Sequence, residues 1–117
     1  MSETQLTKSI LGALQLRYKK SGKFWRNNTG ATKTEGGSFL RFGAVGSPDI
    51  LGILSPAGRL VALEVKTSKG KTSPAQELWL DEARELGALV AVVRSIDEAF
   101  QLIEGAMLPS AAINPLV

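Results

Sequence analysis

Cysteine and histidine are both missing from this chain of 117 residues. Without cysteine there is no disulfide framework, no thiolate zinc site and no thiol nucleophile. Without histidine there is no Ser-His-Asp triad, no imidazole general base and no imidazole-ligated metal. Any acid–base or metal chemistry must therefore come from carboxylates, lysine, amides and water. Long apolar runs are lacking too, and no segment suffices to span a bilayer. Residues 1–20 carry Lys8, Arg17, Lys19 and Lys20 where a signal peptide would be continuously apolar. A cytoplasmic protein with no membrane association is the expectation. Asn27-Asn28-Thr29 fits a glycosylation sequon, which means nothing without secretion.

A hydrophobic content of 44% is ordinary for a globular chain, and the length suits one domain with one core. We take residues 1–117 as that domain, with a core over about 3–104 and a tail over 105–117. The net charge is only +3, but it is unevenly spread. Eight basic residues stand against two acidic ones before Pro48, and six against nine from Pro48 onward. A basic first half suits a phosphate backbone. It suits an ordinary solvated face equally well.

Residues 4–20 have the spacing of an amphipathic helix, with Leu6, Ile10, Leu14 and Tyr18 on one stripe. Ser21-Gly22 ends it. Lys23 to Asn28 is a short strand, and Phe39 to Phe42 another. Polar, glycine-containing Asn28 to Ser38 predicts a mobile loop between them. Asp49 to Leu54 and Leu60 to Thr67 are two strands joined by a tight turn at Ser55-Pro56-Ala57-Gly58-Arg59. Ser73-Pro74-Ala75-Gln76 opens a helix with Ser at the N-cap, Pro first and Gln third. Ala75, Trp79, Ala83 and Leu86 are expected to line one face of that helix, which Gly87 ends. Leu89 to Val93 is a buried strand. Ile96 to Glu104 is a last helix, and the tail with Pro109 and Pro115 is expected to be irregular. This order predicts an α/β fold: a mixed sheet flanked by helices.

Pro48-Asp49 begins one strand of the hairpin and Glu64-Val65-Lys66 ends the other. An antiparallel hairpin sets the start of one strand beside the end of the next, so Asp49 and Glu64 lie side by side. Glu64 and Lys66 share a face, and Val65 points into the core. Two carboxylates and a backbone carbonyl form a hard oxygen site suited to Mg²⁺ or Mn²⁺. Such an ion activates water and stabilises charge at phosphorus, with a lysine orienting the water or neutralising the oxyanion. The pattern alone arises by chance in roughly 3% of chains this long at average residue usage. Without further support, Asp49 is a strand start and Glu64 and Lys66 a surface pair. Leu63 and Val65 argue otherwise, since they set Glu64 in a core strand where an unpaired charge is costly.

Four ordered blocks extend the pattern. They are Trp25-Arg26-Asn27-Asn28-Thr29-Gly30, Gly46-Ser47-Pro48-Asp49-Ile50, Ala62-Leu63-Glu64-Val65-Lys66 and Gln76-Glu77-Leu78-Trp79. Together they resemble the VRR-NUC group of the PD-(D/E)xK nucleases, over about Glu3 to Phe100. The resemblance implies a restriction-endonuclease-like core and metal-dependent hydrolysis of DNA phosphodiesters, often at branched, flap or Holliday-junction structures. It makes Asp49, Glu64 and the Val65 carbonyl metal ligands and Lys66 the residue assisting the nucleophile. Gln76 matches the family's helix glutamine, yet it is equally the third residue of a capping box. Glu3 matches a first-helix glutamate, one turn before Leu6, and is also an ordinary acidic residue near a helix start. Arg26, Asn28, Lys69 and Lys71 are candidate DNA contacts, and each is also an ordinary surface residue. By analogy with minimal nucleases that cut symmetric junctions, a homodimer is expected. The glycine-rich stretch 30–38 would then serve either the dimer contact or a DNA-gripping arm. A small chain of this type also fits a phage or a mobile element.

Other readings remain at this stage. A DNA-binding module that keeps the fold would bind without cutting. A carboxylate-only nuclease would use Asp49, Glu64 and a third acid such as Asp81 or Asp97, and would not need Lys66. A structural domain would need none of them. Gly70-Lys71-Thr72 is not the end of a phosphate-binding loop, because Val65 stands where that loop needs glycine.

Overall fold

The structure is a computed structural model that describes residues 1–28 and 30–107. Three helices and six strands follow in the order α1 (Glu3–Arg17), β1 (Gly22–Arg26), β2 (Gly30–Lys33), β3 (Phe39–Phe42), β4 (Ile50–Leu54), β5 (Arg59–Val65), α2 (Pro74–Glu85), β6 (Leu89–Val93) and α3 (Ile96–Met107). The expected tail with Pro109 and Pro115 lies outside the described residues.

Four strands form one sheet in the order β1-β4-β5-β6. The first two pairings are antiparallel and the last is parallel. A parallel neighbour requires a crossover, and α2 supplies it between β5 and β6. The expected mixed sheet flanked by helices is therefore present.

The two sheet faces follow from strand alternation. Val61, Leu63 and Val65 of β5 join a cluster with Ile10 and Leu14 of α1, Tyr18 just after it, and Ala99 and Ile103 of α3. Ala62, between them, joins Leu80 and Ala83 of α2 on the opposite face. Ile10, Leu14, Ile50, Leu63 and Ile103 have no exposed surface. Burying a side chain of this size stabilises the fold by roughly 1.5–3 kcal/mol. Where α1 meets α3, Arg17 stacks 4.4 Å from the Phe100 ring. The Tyr18 hydroxyl donates to Glu104 at 2.9 Å. Burial, helped by the Glu104 carboxylate, pushes the Tyr18 phenol up to about 12.

Three expectations need correction. The stretch Asn28 to Ser38 is not all loop, because Gly30–Lys33 pairs antiparallel with Phe39–Phe42 as a separate two-stranded sheet. Its turn is polar and glycine-rich, with Gly37 at φ +86°, and this composition hid the first strand. The buried face of α2 is also shifted. Leu80 and Ala83 are buried, whereas Ala75 is exposed and Leu86 is 89% exposed. Leu86 is the C-cap, beyond the turn that packs on the sheet. The first helix stops at Arg17, with Tyr18 capping it, rather than at residue 20. No helix among the described residues is long and apolar enough to cross a membrane.

Candidate active site

The β4–β5 register pairs Ile50 with Leu63, so Asp49 lies opposite Glu64 one step further, as the hairpin argument requires. The Val65 N–H donates to Asp49 Oδ2 at 2.8 Å. One carboxylate of the pair is thus fixed by the backbone of the strand that carries the other. Glu64 is 2% exposed and Lys66 9%. Lys66 Nζ stands 3.3 Å from Glu64 Oε2 and 3.9 Å from Glu3 Oε1. The Lys66 N–H donates to the Val93 carbonyl at 3.1 Å, which anchors the lysine to β6.

Two helices bring their first turns to this strand end. Glu3 enters from α1, whose N-terminus is closed by a capping box on Ser2. Gln76 enters from α2. Its Oε1 accepts from the Ser73 N–H at 2.9 Å, completing a second capping box. Its Nε2 donates to Glu64 Oε2 at 2.9 Å. The two readings of Gln76 are therefore both true, and one amide serves both. The positive ends of two helix dipoles also favour negative charge here.

Glu3, Asp49 and Glu64 each offer a carboxylate oxygen within 4.8 Å of the others. Mg²⁺ ligands at roughly 2.1 Å stand about 3 Å apart in cis positions and about 4.2 Å in trans, so a small side-chain adjustment closes the cluster around one ion. The oxygens already engaged are Glu64 Oε2 and Asp49 Oδ2. The Glu64 carboxyl is buried against those of Asp49 and Glu3. Burial first, and the Asp49 charge second, push the Glu64 carboxyl up to about 7 from its ordinary 4.5, against the pull of Lys66. Three carboxylates against one ammonium leave an excess of two negative charges when all are ionised. A hard divalent cation fits both that excess and the all-oxygen donor set.

Further residues hold the frame. Asn27 continues β1, and its N–H donates to the Asp49 carbonyl at 2.8 Å. Its side-chain amide donates to Ser47 Oγ and the Pro48 carbonyl, each at 2.8 Å. Gly46 has φ +80°, and a Cβ there would lie 2.4 Å from the Ala75 carbonyl oxygen. The segment leading to Asp49 thus runs hard against the first turn of α2, where only glycine fits. Arg94 Nη1 donates to the carbonyls of Thr67 and Gly70, bracing the loop that follows Lys66. Sequence reasoning assigned no role to Asn27 or Arg94. Asn27 stood inside a quoted block, but nothing local signalled Arg94.

The other candidates are not brought into the cluster. Arg26 and Asn28 are exposed on either side of Asn27, and Lys69 and Lys71 are exposed on the loop between β5 and α2. Among the described residues none of these four contacts the carboxylates. Asp81 is exposed and paired with Arg84, and Asp97 is exposed in the first turn of α3. The third acid at the site is Glu3 instead.

A mixed sheet between helices, with two carboxylates and a lysine at its strand ends, is the core of a PD-(D/E)xK nuclease. The sequence model of the VRR-NUC domain matches residues 13–97, and the chain belongs to the VRR-NUC family. A solved structure of a VRR_NUC domain is similar over 84% of this chain and 94% of its own, with a TM-score of 0.57 and 28% identity. No curated protein sequence matches the chain. Asp49, Glu64, Lys66 and Gln76 fall inside the matched span, and Glu3 precedes it. Family membership makes this a nuclease-type DNA-processing domain.

Proposed function

We propose that the protein is an endonuclease that hydrolyses DNA phosphodiester bonds with Mg²⁺ or Mn²⁺, selectively at branched, flap or Holliday-junction structures, and that it works as a homodimer. The observation that carries this reading is the setting of Glu64. Lys66 and Gln76 converge on Glu64 Oε2, and the Glu64 carboxylate lies in one cluster with those of Asp49 and Glu3. Asp49, Glu64, Glu3 and the Val65 carbonyl would hold the ion. When bound, it supplies an activated water and offsets the charge that develops on phosphorus.

The chain's own residues do the rest. Gln76 donates to Glu64 Oε2 and so fixes the carboxylate. The Val65 N–H does the same for Asp49. The Lys66 ammonium stands 3.3 Å from Glu64, where it orients the attacking water and offsets the oxyanion. Arg26, Asn28, Lys69 and Lys71 are exposed at the rim, where they would contact phosphates without entering the chemistry. The β2–β3 hairpin departs directly from the site, between Asn27 and Asp49, and is suited to the DNA-gripping arm.

The test is cleavage of labelled four-way junction, flap and linear duplex DNA in Mg²⁺, Mn²⁺ or EDTA, with Lys66→Ala alongside. Expected are metal-dependent cutting with a preference for branched DNA, and binding without cutting for the variant. Binding without cutting by the native chain in every metal would instead establish a DNA-binding module that keeps the fold. Sedimentation of the free protein at a single-chain mass would overturn the homodimer.

A further inference from the structure

A second charged feature lies at the far end of the sheet from the carboxylates. A groove of about 440 Å³ is lined by Lys19, Lys20 and Lys23, with Ile53 and Pro56 among its apolar residues and no acidic residue in its wall. The lysines stand on a fixed base. The Ser21 and Gly22 N–H groups donate to the Tyr18 carbonyl at 3.0 and 2.8 Å, and the Ser55 N–H donates to the Ser21 carbonyl at 2.7 Å. The turn after α1 is thereby tied to the end of β4.

Strand register sets Lys23 and Ile53 of this groove on the face that carries Asp49 and Glu64. Lys23 is opposite Ile53, Trp25 opposite Leu51, and Leu51 opposite Ala62. Continuing the same row brings Asp49 opposite Glu64. Phe24 and Ile50 alternate with these residues and are buried on the other face against α1 and α3. The β1–β4 part of this face is open beside α2, since Ile53 is 44% exposed and Trp25, midway along it, 38%. Four residue steps separate Ile53 from Asp49, about 14 Å at roughly 3.4 Å per residue. The 15 residues of α1, which separate Glu3 from Lys19 and Lys20, span about 22 Å at ~1.5 Å per residue. At ~3.4 Å per phosphate along each strand, these separations amount to about four to seven base pairs.

We propose that the Lys19-Lys20-Lys23 groove is a second binding site for the DNA phosphate backbone, gripping duplex about four to seven base pairs from the carboxylate cluster. The proposal rests on DNA being the substrate and does not require that it be cut. Lysine suits the role, as a mobile point charge that accepts any phosphate regardless of sequence. The groove contains no carboxylate to repel the backbone.

The test compares native protein with the triple variant Lys19→Ala, Lys20→Ala, Lys23→Ala, using fluorescence anisotropy in EDTA at several salt concentrations. The probes are hairpin-closed duplexes of about 8 and about 14 base pairs. Each neutralised phosphate contributes about 0.9 to the slope of log affinity against log salt. On the longer duplex the variant should lose between about 2 and 3 from that slope and bind at least tenfold more weakly at low salt, and on the shorter one it should lose affinity as well. Replacing all three lysines by arginine should restore the slope, which separates lost charge from a damaged fold. A native slope in the alanine variant overturns the proposal, as does native protein that fails to bind the longer duplex. Lysine-dependent binding without cleavage would uphold this groove and refute only the nuclease reading.

Discussion

Replacing Glu64 by Gln should stabilise the metal-free protein at alkaline pH and abolish its response to divalent cations. Glu64 is 2% exposed, and its carboxyl is pushed from 4.5 to about 7 by burial and by the neighbouring Asp49 charge. A carboxyl raised on folding favours the native state only while it holds its proton. Its contribution is therefore complete below about 4.5 and lost as the pH climbs to about 7. At about 1.4 kcal/mol per pH unit, the displacement corresponds to about 3 kcal/mol. Glutamine matches the protonated carboxyl in shape and cannot ionise. Its amide oxygen still accepts from Gln76, and Lys66 retains Glu3 nearby. In EDTA at pH 8, Glu64→Gln should melt above the native chain by roughly 10 °C or more for a domain of this size, and near it at pH 4.5. Adding Mg²⁺ or Mn²⁺ at pH 8 should raise the native melting temperature by mass action and leave the variant unchanged. Thermal unfolding followed by circular dichroism reads both effects. A variant no more stable than the native chain at pH 8 in EDTA would refute the argument that ionised Glu64 is held against its preference.

Other substitutions separate roles that share one side chain. Gln76→Ala removes both the cap and the Glu64 contact and should cost about 1–2 kcal/mol. Gln76→Glu keeps a capping-box residue but adds a fourth acid, so it should melt near native at pH 5 and clearly below it at pH 8 in EDTA. Gly46→Ala would drive a methyl against the Ala75 carbonyl at a φ that favours glycine, and should cost about 3 kcal/mol or more; an unchanged denaturant midpoint would contradict that packing. Asn27→Ala strands the Pro48 carbonyl and should cost about 1–3 kcal/mol, with a smaller metal-induced rise in melting temperature because the segment leading to Asp49 loses its brace.

The parts of the site legible in the sequence are those set by local rules. A hairpin register and strand alternation place Asp49, Glu64 and Lys66 without knowledge of any other element. A Ser-Pro-x-Gln start marks both a helix and its first-turn glutamine. What escaped depends on distant partners. Gly30–Lys33 carries too few apolar residues to signal a strand, and its pairing with Phe39–Phe42 decides the matter. The face of α2 is chosen by where Ala62 and Val90 lie beneath it, which made Leu80 rather than Leu86 the anchor. Arg94 acts 24 and 27 residues back along the chain, and no spacing rule reaches that far.

The active cluster draws on almost the whole length of the chain, from Glu3 through Asn27, Asp49 and Glu64 to Gln76 and the Val93 carbonyl that anchors Lys66. No excised half contains it. A chain still emerging from the ribosome, or one clipped between β5 and β6, carries acidic and basic residues but no assembled centre. The cleavage proposed for the protein would thereby wait until β6 has docked, and completion of the fold would itself be the safety catch.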